Sequence, residues 1–329
     1  MYGYNIFHDD VMLELINNVH KGISHQAYIF EGPEGLNIKE SAKLFATTLT
    51  CRNKKTAPCT TCDVCKLSYA DTNPDIIYID TADKKSIGVD RIREISKDVY
   101  VRPFESDSKV YIIEDGRALT DEAQNAMLKI LEEPPQYAVF IIITTSSSTL
   151  LPTVLSRCNT IRFSPLPEEK MKKYIKEKYP EITSNADFFA RFSEGIPKKV
   201  EDIINNPDFE PLRNESFNML TPLLSKHLIS AYTVTEFLES NKDNAEIIFD
   251  LWLSFLRDVL LFKMSANHLL VNTDMKENLS KLALKLSEKH CVFAINRLIS
   301  AKTMLKRYVN LHVLVLNLSF SIKNFLHES

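Results

Sequence analysis

AYIFEGPEGLNIKESAKLFATTL, residues 27–49, decides the fold. An apolar run rich in β-branched and aromatic residues, AYIFE, gives way to GPEG and then to a stretch whose apolar residues recur at helical spacing. Strand, glycine-bearing turn and helix in that order are the context of a phosphate-binding loop, whose backbone N–H groups cradle an anion at a helix N-terminus. Against the pattern G-x-x-x-x-G-K-[ST], Gly32 matches, but Asn37 stands for the second glycine, Ile38 for the lysine and Lys39 for the hydroxyl residue. Ile38 brings no charge to β- and γ-phosphates, and Lys39 brings no hydroxyl to magnesium. Lys39 is a poor substitute for the missing lysine, because one residue turns a helical side chain by about 100°. The chain has only seven glycines, so the survival of Gly32 and Gly35 in this turn is informative. The expectation is a loop that keeps its shape and binds no ATP productively.

Outward from this unit, 76–80 (IIYID), 109–114 (KVYIIE), 138–144 (AVFIIIT) and 160–163 (TIRF) read as further strands. Helical patterns such as TDEAQNAMLKILE, 120–132, lie between them. Near-continuous apolar strands alternating with helices predict a parallel, five-stranded sheet covered on both faces, an α/β domain over 1–165. At SPLPEE, 164–169, two prolines end the strand signals, and the remainder is helical. A second proline-bearing break, NNPDFEPLRNES, separates a short helical domain, 166–207, from an all-helical block, 208–329, with i, i+3, i+4 spacing as in AEIIFDLWLSFLRDVLLF.

With 44% hydrophobic and 25% charged residues, the 329-residue chain reads as an ordinary globular protein of several domains. No apolar run reaches the roughly 18 residues of a membrane span, and the N-terminus carries early acids instead of a secretory pattern, which predicts a cytoplasmic protein. A net charge of −3 supplies no global field for binding DNA or anionic membranes, so any nucleic-acid contact is local or shared with partners.

Cys51, Cys59, Cys62 and Cys65 read C-x7-C-x2-C-x2-C. Two overlapping C-x2-C turns gather thiolates around one ion, and Cys51 closes the fourth corner, which predicts structural zinc. A cytosolic setting disfavours disulfides, and the spacing leaves an iron–sulfur cluster open. Cys158 and Cys291 are singletons, for which the role of small buried hydrophobe is expected. Arg52, Lys54 and Lys55 form a modest basic cluster near the cysteines, read as a solvated loop. KVYIIEDGRAL ends in Glu114 and Asp115, where a magnesium-holding acid would stand, but with the loop disabled they read as two acids at the end of a strand. LPTVLSRC, 151–158, sets Arg157 in a Ser-Arg-Cys element after a helix. Arginine is always charged, planar and forked, which suits it to a transferring phosphate, although a lone arginine is more often a surface ion pair.

HQAYIFEGPEG, the four cysteines, NPDIIYID, VYIIEDGRALTDEAQNAMLKILEEPP and LPTVLSRC stand in the order and spacing of bacterial clamp-loader subunits. The chain resembles that AAA+ family, and within it the delta-prime line of DNA polymerase III, specifically over the first 165 residues and in length and class beyond them. The resemblance implies an AAA+ P-loop-type domain with a zinc module at about 51–65, a small helical lid over 166–207 and a helical collar over 208–329 that oligomerises. It implies that Arg157 is an arginine finger offered to the ATP site of a neighbouring gamma/tau subunit, while the chain itself is not an independent ATPase. The implied partners are gamma/tau and delta subunits, with the sliding clamp and primer-template DNA reached through the complex during replication. GIPKKV, 195–200, lies where the family's second nucleotide sensor lies, with lysines in place of the expected arginine; it reads here as a solvated basic turn. Two readings compete with this one: an autonomous gamma/tau-like ATPase, against which Ile38 argues, and a zinc-dependent DNA-binding protein.

Overall fold

The computed structural model describes residues 8–81, 85–225, 229–305 and 310–328. Residues 1–7, which open the N-terminal stretch read above as lacking a secretory pattern, lie outside them. The chain divides into two compact units, one of residues 1–170 with 194–199 and one of residues 171–193 with 200–329.

The first unit opens with α1 (Asp9–His20), β1 (Ala27–Glu31), α2 (Ile38–Thr50) and α3 (Asp63–Tyr69). It continues through β2 (Ile76–Ile79), α4 (Val89–Asp98), β3 (Lys109–Ile113), α5 (Asp121–Glu132), β4 (Ala138–Thr144), α6 (Pro152–Leu155) and β5 (Asn159–Arg162). The five strands form one sheet in the order β2-β3-β4-β1-β5, every pair parallel, with β1 central in register between β4 (Ile29 beside Ile142) and β5 (Ile29 beside Thr160). This is the parallel five-stranded α/β sheet that the alternation of strands and helices implied.

Successive strand residues face opposite sides, so the sheet carries two cores. Tyr28, Phe30, Val110, Ile112, Val139 and Ile141 pack on Met12, Leu15 and Ile16 of α1 and Leu44 and Phe45 of α2. Ile29, Tyr111, Ile113, Phe140 and Ile142 face Ile92 and Ile95 of α4 and Ala123, Met127 and Ile130 of α5. Burial on both faces explains why the strands read as continuous apolar runs with no polar alternation. Tyr111 and Phe140 stack across the β3–β4 pair at 5.0 Å between ring centres, and the Tyr111 hydroxyl donates to Asp98 Oδ2 at 2.8 Å.

Local chemistry sets the ends of α5. The Thr120 hydroxyl accepts the Ala123 N–H at 3.2 Å, Asp121 and Glu122 complement the dipole in the first turn, and Pro134 and Pro135 prevent continuation. α2 begins differently. Its cap residue Asn37 is left-handed at φ 54° and makes no side-chain capping bond.

Three short helices follow: α7 (Glu168–Lys178), α8 (Ala186–Phe192) and α9 (Pro197–Ile204). Beyond them are α10 (Phe209–Leu223), α11 (Ile229–Ser240), α12 (Ala245–Lys263), α13 (Lys276–Lys285), α14 (Glu288–Leu305) and α15 (Leu311–Glu328). Within the second unit, Trp252 is fully buried and donates its indole N–H to Ser216 O at 2.8 Å. Arg213 is buried against the Phe188 ring and forks onto Asp274, with Nη1 at 2.8 Å and Nη2 at 2.7 Å. The arginine bonds are charge-assisted and satisfy donors that burial would otherwise leave costly. Among the described residues no helix is long and apolar enough to cross a membrane.

Candidate functional site

The turn between β1 and α2 shapes a cavity of about 300 Å³, bounded also by Glu114, Asp115, Arg117 and Lys198. Two glycines make the turn possible. A Cβ on Gly32 would lie 2.5 Å from Phe163 O and 2.8 Å from Ile38 Cδ1. Gly35 has φ +87°, and a Cβ there would lie 2.7 Å from both Ile196 Cγ2 and Lys198 Cβ. The Lys198 N–H donates to Gly35 O at 3.3 Å. The turn expected to be simply solvated therefore brings an exposed Lys198 to the cavity wall, because Ile196 beside it anchors in the core of the α1/α2 face.

At the lysine position of the phosphate-loop pattern, Ile38 is 6% exposed and belongs to that same core. The neighbouring Lys39 puts Nζ 2.6 Å from Glu114 Oε1. Across the cavity Arg117 reaches Asp115 through Nε at 2.9 Å and Glu34 through Nη2 at 2.9 Å, and these two carboxylates hold its guanidinium even more firmly charged. Glu114 and Asp115, expected to be merely two acids at a strand end, are thus each committed to a cation of the cavity wall. Beside the loop, Glu31 accepts the Ser147 N–H at 2.8 Å, which holds its carboxyl below the usual range and ties the end of β1 to the turn after β4.

Arg157 follows the short α6 and does not line this cavity among the described residues. Its guanidinium donates from Nη1 to Thr153 O at 2.8 Å and Ser156 Oγ at 3.2 Å, and from Nη2 to Glu132 Oε1 at 2.6 Å. One third of its side chain stays exposed. The frame beneath it comes from Gln124, which is 1% exposed, accepts the Leu151 N–H at 2.7 Å and donates to Leu119 O at 3.3 Å. Sequence reasoning missed Gln124 and Glu132, and it read the turn that carries Lys198 as solvated only. The polar Gln124 between Ala123 and Ala126 inside an amphipathic helix was the one available signal.

The four cysteines converge, with every Sγ within 4.8 Å of the others and Cys59 and Cys65 at 4.0 Å. A tetrahedral zinc with Zn–S of about 2.3 Å has sulfur–sulfur edges of about 3.8 Å, so the donor set fits one ion. Cys51 caps α2 and Cys62 caps α3. The Cys62 N–H points at Cys59 Sγ and the Cys65 N–H at Cys62 Sγ, both at 3.4 Å. Burial pushes the Cys59 thiol up, but the bonds from Cys62 and Thr61 outweigh it and bring it down to about 6, whereas burial and the Cys62 side chain push Cys65 up. Four sulfurs this close cannot all ionise without a cation among them. His20 of α1 joins the module through Nε2, 2.7 Å from Ala57 O. Of the nearby basic residues, Arg52 pairs with Glu105 at 2.9 Å and Lys54 bonds Leu49 O, so both are engaged by their own chain. Cys291 is fully buried and Cys158 partly so, packed against the α4/α5 core.

The family described as DNA polymerase III, delta subunit, matches residues 7–167, and the one described as DNA polymerase III, delta subunit, C terminal, matches residues 208–322. The chain is 26% identical over 310 residues to DNA polymerase III subunit delta' of Bacillus subtilis, covering 93% of each. It is 30% identical over 276 residues to the gamma/tau subunit of Mycoplasma genitalium, covering 77% of this chain and 44% of that one. The chain thus spans under half the length of that relative. Among solved structures, a DNA polymerase III gamma subunit-related protein of Thermotoga maritima superposes with a TM-score of 0.46 at 19% identity, covering 95% of this chain and 99% of that one.

Proposed function

Since the chain belongs to the family of DNA polymerase III clamp-loader subunits, we propose that it serves as a delta-prime subunit that hydrolyses no ATP itself and lends Arg157 to a neighbour's ATP site. The observation that carries this reading is the fate of the phosphate loop. The residue in the lysine position, Ile38, is core, and the nearby cations Lys39 and Arg117 are held by Glu114, Asp115 and Glu34. A P-loop ATPase needs a lysine on the β/γ-phosphates and a hydroxyl on magnesium, and neither side chain is present at those positions.

In this reading gamma/tau subunits bind and hydrolyse ATP, the delta subunit completes the complex, and the assembly opens the sliding clamp and sets it on primer-template DNA in the cytoplasm. Residues 1–165 act as the AAA+ body, 166–207 as its lid and 208–329 as the collar that joins sister subunits. Cys51, Cys59, Cys62 and Cys65 would hold a zinc ion, which when bound neutralises the thiolates and fixes the 51–65 loop between α2 and α3. The partly exposed Arg157 guanidinium would meet the charge that builds on a transferring γ-phosphate. The 30% identity to a gamma/tau subunit favours a second reading, an autonomous ATPase, but Ile38 leaves that reading without its lysine.

The test is reconstitution with gamma/tau and delta subunits, clamp and primed DNA. Arg157→Ala is expected to leave assembly intact and lower stimulated ATPase by about a thousandfold. Unchanged turnover in an intact complex would remove Arg157 from the reaction.

A further inference from the structure

The geometry points to Glu132 as the positioning residue for the Arg157 guanidinium, an inference that rests on the trans-acting role proposed for Arg157. Glu132 is the last residue of α5, with Glu133 beside it. A carboxylate at that end meets the negative pole of the helix, and a second acid next to it adds repulsion. Helix chemistry therefore disfavours Glu132 where it stands. What engages it is Arg157, whose Nη2 donates to its Oε1 at 2.6 Å.

A single ion pair would leave the guanidinium free to swing. Here the same planar group is also held by Nη1, which donates to Thr153 O and Ser156 Oγ at 2.8 and 3.2 Å. Acceptors from two separate elements, the end of α5 and the turn of α6, thus define the plane of the fork. Those elements are locked to each other by Gln124 of α5, which accepts the Leu151 N–H at the start of α6. Of the five N–H groups of an arginine, Nε–H has no partner among the described residues, and the side chain keeps one third of its surface exposed. The pair consequently leaves donors for an incoming phosphate while spending others on orientation. Preorganised donors of this kind act without rearrangement when charge develops.

Glu132 itself is half exposed. An ion pair this exposed adds little to folding stability, so its substitution tests orientation with little effect on the fold.

In the loader reconstituted with gamma/tau and delta subunits, clamp and primed DNA, kcat and KM for ATP are measured for wild type, Glu132→Ala, Glu132→Gln, Arg157→Ala and the Glu132→Ala/Arg157→Ala double variant. Glu132→Ala is expected to lower kcat by about tenfold to a hundredfold, the scale of a small misplacement of a catalytic group. KM should hold within about twofold, because the contact is made in the transition state. Glu132→Gln recovers part of the loss, since its amide oxygen still accepts from Nη2. Adding Glu132→Ala to Arg157→Ala changes nothing further. Unchanged or raised kcat in Glu132→Ala, with Arg157→Ala depressed, overturns the positioning role and leaves the trans-acting arginine standing. Additive losses in the double variant, or loss of complex assembly in Glu132→Ala, overturn it as well by marking a structural residue. Unchanged turnover in Arg157→Ala overturns the parent role and this inference with it.

Discussion

Lys39 Nζ stands 2.6 Å from Glu114 Oε1, so the cation next to the phosphate-lysine position is held by the acid that follows β3. In a working P-loop the two groups have separate tasks, one at the phosphates and one at magnesium. Here they neutralise each other across the cavity.

Releasing Lys39 should therefore restore nothing. Titration calorimetry of the isolated chain with magnesium and ATP is expected to show no binding tighter than about 1 mM, and Glu114→Gln should behave alike because Ile38 remains in the core. Micromolar binding by the variant would mean that the ion pair alone had closed the site.

The left-handed glycines separate backbone strain from crowding. Gly22, at φ +71°, has nothing within 4 Å of its absent Cβ, whereas Gly35 faces Ile196 and Lys198 at 2.7 Å. Gly22→Ala should cost about 1–2 kcal/mol from conformation alone. Gly35→Ala should cost about 1–3 kcal/mol more, as Ile196 must shift out of its packing. Urea denaturation decides the matter, and equal losses would show that the 194–199 turn yields freely.

Metal analysis should find one zinc per chain, and chelation should lower the thermal midpoint. Cys65→Ser, at a fully buried sulfur, should lose the metal, while Cys291→Ser should keep it. Iron with labile sulfide in the purified chain would replace zinc as the occupant.

Lys323 is buried with Nζ donating to Pro222 O at 3.0 Å, Ser225 O at 2.9 Å and Ser230 Oγ at 2.7 Å, with no carboxylate among these acceptors. Burial lowers its pKa to about 8 from 10.5. The unfolded chain then holds more protons than the folded one between those values, so stability rises as pH climbs through that window. The penalty is present in full below about pH 8. Urea midpoints from pH 7 to 10.5 should rise more steeply for wild type than for Lys323→Met; parallel curves would place the ammonium in a better solvated environment.

Much of this protein was legible in its sequence. The five strands and the helices around them follow from apolar runs and their periods, since burial on both sheet faces is a demand on composition. The cysteine cluster follows from spacing, because two C-x2-C turns carry their sulfurs together wherever they lie. The absence of the pattern's lysine was plain at Ile38, as no fold can give an alkyl side chain a charge. What only the tertiary structure decided was pairing: Lys39 with Glu114, Arg157 with Glu132, Gln124 with Leu151, and Gly35 with the turn at Lys198. Each joins elements far apart in the chain, and local periodicity says which face of a helix is buried but not which distant acid its polar face will meet. That choice depends on strand order and on where α5 and α6 end, which become defined only when the sheet has assembled.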